Sequence, residues 1–152
     1  MTRKEMAMDY FTKGYNCSQS VVLAFADLLP VDEKTLMKLS SSFGGGMGRL
    51  REVCGSVTGM FMVAGMLYGY DGPETGPAKA EHYALIQELA GKFEAENGSI
   101  VCRELLGLNK QHDDPQPSAR TGEYYRKRPC KELVGMSAEI LDNYIAEHPT
   151  QA

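Results

Sequence analysis

Residues 51–69 read REVCGSVTGMFMVAGMLYG. From Gly55 onward the segment is apolar nearly all round a 3.6-residue repeat, with Val57, Met60, Phe61, Met62, Val63, Met66 and Leu67 spread over its faces. A helix of that kind has no face suited to water, so the reading places it at the centre of the fold. Gly55 and Gly59 are four apart and share one face, where a second helix or a ligand can come close. Cys54 stands directly before that face. Gly65 and Gly69 extend a second line of small residues.

Working outward, glycine, proline and capping residues divide the chain into further helices. Residues 3–13 carry Met6, Tyr10 and Phe11 at helical spacing, and Gly14 stops them. Asn16, with Gln19 three residues on, resembles a capping box opening a second helix. Its stripe is Val21, Val22, Phe25, Leu28 and Leu29, and Pro30 ends it. Asp32 caps a third helix with Leu36, Leu39 and Phe43 inward, closed by Gly44. The glycine-rich connection SSFGGGMGRL leads to the central helix. An amphipathic helix follows from about Pro77 to Glu96, with Leu85, Leu89 and Phe93 facing in and Asn97-Gly98 at its end. Ser99 is read as the cap of a short helix ending at Gly107. Residues 109–128 have no clear period, and a connection of that length is mobile or functional in most proteins. Pro129 starts a last helix to about Ala146, offering Leu133, Met136, Ile140, Leu141 and Tyr144 to the core. No strand signal competes. The expectation is an all-α fold, a compact single-domain bundle of five to seven helices over 1–152, with 109–128 a long mobile loop.

The totals agree with such a domain. The chain has 152 residues, 43% hydrophobic and 24% charged, enough to bury a core. A net charge of −4 argues against a nucleic-acid surface. The apolar stretch from Val57 to Tyr70 falls short of the roughly 20 residues that span a bilayer. The first residues, MTRKEMAMDY, lack a signal-peptide core, so a cytoplasmic protein is expected.

The four cysteines fall in a pattern. Cys17 follows the Asn16 cap, Cys54 precedes the central helix, Cys102 lies three residues after Ser99, and Cys130 follows Pro129, a residue favoured at helix starts. Every thiol therefore sits in or beside a first helical turn, where unpaired N–H groups and the helix dipole favour a thiolate. No C-x-x-C is present, so a zinc ribbon or a thioredoxin-type motif is absent, and any disulfide or metal site must be assembled from distant helices. Four cysteines allow three connectivities, and the spacing does not choose among them.

The ordered set of Cys17, FGGGMG with Cys54-Gly55-Ser56-Val57-Thr58-Gly59, Cys102 in CRELLG and Cys130 before the last helix resembles the C_GCAxxG_C_C family of small four-cysteine proteins. The resemblance runs from about Tyr15 to the last helix. It implies redox activity centred on the four cysteines and names no substrate. Ser56 stands where the family motif usually has alanine, adding a hydroxyl beside the site.

Other candidates are weaker. FGGGMG could form an anion nest, but it lacks the lysine and Ser/Thr of a phosphate loop and reads better as a permissive connector. Arg49 and Arg51 precede Cys54 and could stabilise its thiolate. Arg126, Lys127, Arg128 and Lys131 surround Cys130 and would acidify it or attract an anion. His82, His112 and His148 are scattered, and His112-Asp113-Asp114 reads as solvated loop. Met60, Met62 and Met66 read as core packing. Tyr124-Tyr125 reads as an anchor of the loop.

Three functional readings stay open. In the first, the protein is a thiol redox protein, a thiol/disulfide oxidoreductase or electron carrier. Cys54 is then reactive, Gly55, Ser56 and Gly59 give access, Cys17 is the resolving thiol, and Cys102 and Cys130 belong to the set. In the second, Cys17, Cys54, Cys102 and Cys130 hold zinc or an iron–sulfur cluster. In the third, the chain is a non-enzymatic helical module with inert thiols. The partner is a redox protein of unstated identity, and a second copy could pack on the glycine-lined helix.

Overall fold

A computed structural model describes residues 1–73, 76–108 and 113–150, and the architecture is all-α. The helices are α1 (Arg3–Thr12), α2 (Cys17–Ala24), α3 (Glu33–Ser40), α4 (Gly44–Met47), α5 (Gly55–Tyr68), α6 (Pro77–Asn97), α7 (Cys102–Leu105), α8 (Gly122–Lys127) and α9 (Cys130–Glu147), with two 3-10 turns at Ala26–Leu28 and Ser41–Phe43. Among the described residues that is two more helical pieces than expected, both in stretches read as connections: α8, and α4, which is a single left-handed turn and not a regular α-helix. No helix is long and apolar enough to cross a membrane among them.

The central helix is α5, and α2, α6 and α9 pack on it, while α1 closes over α2 and α9. Val57, Met60, Val63 and Ala64 of α5 meet Val21, Val22 and Phe25, Leu85, Leu89 and Phe93, and Leu133, Val134, Ala138 and Leu141 in one buried cluster. Each large apolar side chain removed from water there contributes about 1.5–3 kcal/mol.

The glycine face of α5 is occupied by α2. A Cβ on Gly55 would lie 2.8 Å from the Phe43 carbonyl oxygen and 3.1 Å from Cys17 Cβ, and one on Gly59 would lie 2.8 Å from the Ser18 carbonyl oxygen. The small residues thus admit another helix, and Cys17 is carried in with it.

The connector FGGGMGR winds left-handed. Gly45, Gly46, Met47, Gly48 and Arg49 all have positive φ, from 61° to 70°, and Arg51 follows at 59°. A side-chain-bearing residue is disfavoured in that conformation by about 1–2 kcal/mol, which is why glycines supply most of the turn. Backbone bonds hold it: Gly48 N to Gly44 O at 2.9 Å and Glu52 N to Gly46 O at 2.9 Å. The turn delivers Arg51, Val53 and Cys54 to the start of α5.

Some expected positions differ. Leu28 and Leu39 are exposed, Leu39 by 57%, because the chain leaves the α2 helix at Ala24 and the inward face of α3 is narrower than read. Ser99 does not cap α7: its Oγ accepts from Val101 N at 2.9 Å, and Val101 holds the cap position. Met66 is exposed at 44%, so α5 is not sheathed along its whole length.

Candidate functional site

Cys17 is the first residue of α2, placed there by a capping box. Asn16 Oδ1 accepts from Gln19 N at 2.9 Å, and Gln19 Oε1 accepts from Asn16 N at 3.1 Å. Cys54 is the N-cap residue of α5, and Cys102 and Cys130 are the first residues of α7 and α9. All four cysteines therefore do stand at helix starts.

A short antiparallel bridge sets two of them side by side. Val53 pairs with Val101, Cys54 N donates to Ile100 O at 2.8 Å, and Cys102 N donates to Glu52 O at 2.6 Å. Gly46 lies so close to Cys102 that a Cβ there would sit 2.6 Å from Cys102 Cβ. The left-handed turn and the bridge together hold Cys54 and Cys102 side by side.

The four thiols line one cavity of about 400 Å³. All four are free. Gly55 shares the lining, while Ser56 and Gly59 stand behind it. Among the described residues, no three His, Cys, Asp or Glu side chains are gathered in a way that could hold a metal ion.

Their environments push them apart chemically. Burial drives the Cys54 thiol up to about 11, against a lowering contact with Ser56 Oγ at 3.1 Å. Ser56 in turn accepts from Ser137 Oγ at 3.1 Å, so a buried chain of three side chains runs from α9 to Cys54. Burial also raises Cys102, against the opposing guanidinium of Arg51, whose Nη1 lies 3.6 Å from its sulfur. Cys17 is raised by its hydrogen bond toward Cys130 and then by burial. Cys130 alone of the four is lowered, to about 7. The chief cause is the hydrogen bond from Cys17, acting against burial, and the Tyr124 hydroxyl, Arg128 and Arg51 add to it. Position at a helix start does not by itself acidify a thiol here. Burial outweighs it at Cys54 and, even with Arg51 donating to the sulfur, at Cys102; at Cys130 the contacts from Cys17, Tyr124, Arg128 and Arg51 together overcome it.

Several sequence candidates find other partners. Arg51 serves Cys102 and Asp113, not Cys54. Arg49 reaches the loop, with Nε on Asp114 O at 2.7 Å and Nη1 on Ser118 Oγ at 3.3 Å. Arg128 does act on Cys130. Tyr125 packs edge-on to Phe11, as a loop anchor, while Tyr124 turns its hydroxyl to Cys130. His148 stacks on Tyr144 and His82 lies beside Tyr70, away from the cysteines. His112 lies outside the described residues. Met60 is core, as read.

Three contributors were not anticipated. Arg120 donates to the carbonyl oxygens of Phe11 and, at 2.7 Å, Tyr15, and so fastens the loop across the cavity. Asp113 Oδ2 accepts from both Arg49 and Arg51. Ser137 backs Ser56. Ser137 lies seven residues after Cys130, hence on the same face of α9, and that periodicity is the signal that could have found it.

This chain belongs to the C_GCAxxG_C_C family: the family described as "Putative redox-active protein (C_GCAxxG_C_C)" matches residues 15–144, nearly the whole chain and all four cysteines. No curated protein and no solved structure matches it.

Proposed function

We propose that the protein carries out thiol–disulfide exchange through Cys130 and Cys17. The observation that carries this is that Cys17 and Cys130 line one cavity together with Tyr124 and Arg128, and the contact between the two thiols, with that hydroxyl and guanidinium, lowers Cys130 to about 7. An attacking thiol is most effective when its pKa is near the ambient pH. Cys54, expected from its small neighbours to be the reactive residue, fits that role less well because burial holds it near 11. Membership in the family supports redox chemistry at the cysteines in general.

The exchange runs in two displacements. The Cys130 thiolate attacks one sulfur of a substrate disulfide, breaking its S–S bond, forming a mixed disulfide and releasing one thiolate. Cys17 gives up its proton to that departing thiolate and attacks the Cys130 sulfur. The mixed disulfide breaks, a Cys17–Cys130 disulfide forms, and the second substrate thiolate leaves and takes a proton from solvent. Two electrons pass to the substrate, and two thiols become one disulfide on the protein. The reverse sequence oxidises a dithiol. Tyr124 holds the Cys130 thiolate with its hydroxyl, and Arg128 and Arg51 offset the charge.

The test is a count of free thiols before and after exposure to hydroxyethyl disulfide at neutral pH. The count is expected to fall from four to two in the native chain, to stay at three in Cys130→Ser, and to fall only from three to two in Cys17→Ser, where Cys130 is held as a mixed disulfide. Unchanged oxidation in both variants overturns the assignment.

A further inference from the structure

We infer that the cavity beside Cys130 takes a small disulfide or thiol bearing carboxylates, held by the cluster of guanidinium groups in its wall; this rests on the exchange reading and names its substrate class. In a chain of net charge −4, the described lining contains Arg49, Arg51, Arg120 and Arg128 and no aspartate or glutamate. Two of them share one carboxylate, that of Asp113: Arg49 Nη2 lies 3.3 Å and Arg51 Nη2 3.2 Å from the same Oδ2.

Arg51 is the second and sharper observation. It is 2% exposed, and its Nε has no hydrogen-bond partner. A buried cation is costly unless it is paired and its donors are met, so an orphaned donor on a buried guanidinium in a cavity wall points to a group that completes it. Arg120 gives its donors to two carbonyl oxygens, which carry no formal charge, and its guanidinium lies 3.9 Å over the Phe11 ring. Arg128 lies 5.2 Å over the Tyr124 ring. Guanidinium groups bind carboxylates through paired, planar hydrogen bonds, which suits this set better than a neutral or cationic ligand.

The cavity also has a non-polar wall at Leu105, Leu106 and Leu133, and its volume suits a small organic molecule. A bare inorganic anion would leave that wall uncovered. A short carbon chain carrying a sulfur at one end and a carboxylate at the other covers it, with the sulfur toward Cys130 and the carboxylate toward the arginines.

The experiment compares three disulfides of like length: dithiodipropionate, with two carboxylates, neutral hydroxyethyl disulfide, and cystamine, with two ammonium groups. Rates of thiol oxidation are measured at neutral pH and low salt, and affinities for dithiodipropionate and cystamine by calorimetry in Cys130→Ser, which cannot exchange. Dithiodipropionate is expected to react about 10-fold faster than cystamine and bind about 10-fold tighter. Free thiolates prefer the reverse order, since cystamine releases the more acidic thiol. In Arg120→Gln/Arg128→Gln the rate ratio should fall by about 10-fold, as it should at high salt. Equal affinities, or reaction without preference, overturn the inference and leave the exchange reading standing. Anion-selective binding with no exchange by any of the three overturns the exchange reading and keeps the pocket. Neither selective binding nor exchange overturns both.

Discussion

Gly55 lies against Cys17 so closely that a methyl group on the glycine would come within 3.1 Å of the cysteine's Cβ. The motif glycine is therefore the means by which the N-terminal thiol reaches the other three. Its neighbour Gly59 does the same one turn along, against the backbone of Ser18.

Glycine substitutions should accordingly split in sign. Gly55→Ala meets the Phe43 carbonyl at 2.8 Å, and overpacking against backbone is expected to cost about 1–3 kcal/mol, more than the helix-propensity gain of about 1 kcal/mol. Gly91, within α6, has nothing within 4 Å of its added Cβ, so Gly91→Ala should stabilise by about 0.5–1 kcal/mol. Urea denaturation of the two variants checks this, and equal effects would contradict the packing account.

Alkylation should resolve the four thiols by pH. The Cys130 rate is expected to rise through a midpoint near 7, and that of Cys54 near 11. Cys17→Ala removes the principal donor to Cys130 and should move its midpoint upward. Tyr124→Phe should move it the same way by less. Peptide-resolved mass spectrometry across a pH series reads each site separately.

Stability should follow pH in two windows of opposite sign. Cys130 ionises below its ordinary value of 9.0 in the fold, so its contribution is full above 9 and lost as pH falls through about 7. Cys54 ionises above 9.0, so its neutral form is stabilising and is lost as pH climbs from 9 toward about 11. A shift of that size corresponds to about 2–3 kcal/mol. Cys54→Ala should therefore lose about 2–3 kcal/mol less than the native chain across the alkaline window, measured by denaturant unfolding.

The buried chain from Ser137 through Ser56 to Cys54 should behave as a unit. Ser56→Ala leaves the Ser137 hydroxyl without its 3.1 Å partner and is expected to cost about 1–3 kcal/mol. Adding Ser137→Ala should recover part of that, giving a coupling of about 1 kcal/mol in a double-mutant cycle. Ser56→Ala should also raise Cys54 further, because Ser56 lowers it. Strict additivity of the two substitutions would show that the hydroxyls do not interact.

The sequence made the helix starts legible because they depend on local chemistry. Asn16 and Gln19 form the box they suggest, Asp32 accepts from Thr35 N, and Leu85, Leu89 and Phe93 are the buried residues of α6. Local chemistry of this kind placed Cys17 at a helix start, whereas Cys102 stands at one for a different reason from the Ser99 cap that was read, since Val101 holds the cap position. Which starts converge was not legible, since it depends on a left-handed turn from Gly45 to Arg49 and on one bridge between Val53 and Val101. The ordering of thiol acidity was hidden for the same reason: burial and the Cys17–Cys130 contact arise only when distant helices meet. Arg120 and Tyr124 lay in a stretch without periodicity, where their roles come from tertiary contacts to Phe11, Tyr15 and Cys130.

The most direct measurement is to oxidise the native protein mildly, block the remaining thiols, and map the disulfide by peptide mass spectrometry. A Cys17–Cys130 cross-link with Cys54 and Cys102 still alkylatable after unfolding is the predicted result. A disulfide joining Cys54 to Cys17 or to Cys102, with Cys130 recovered as a free thiol, would contradict it.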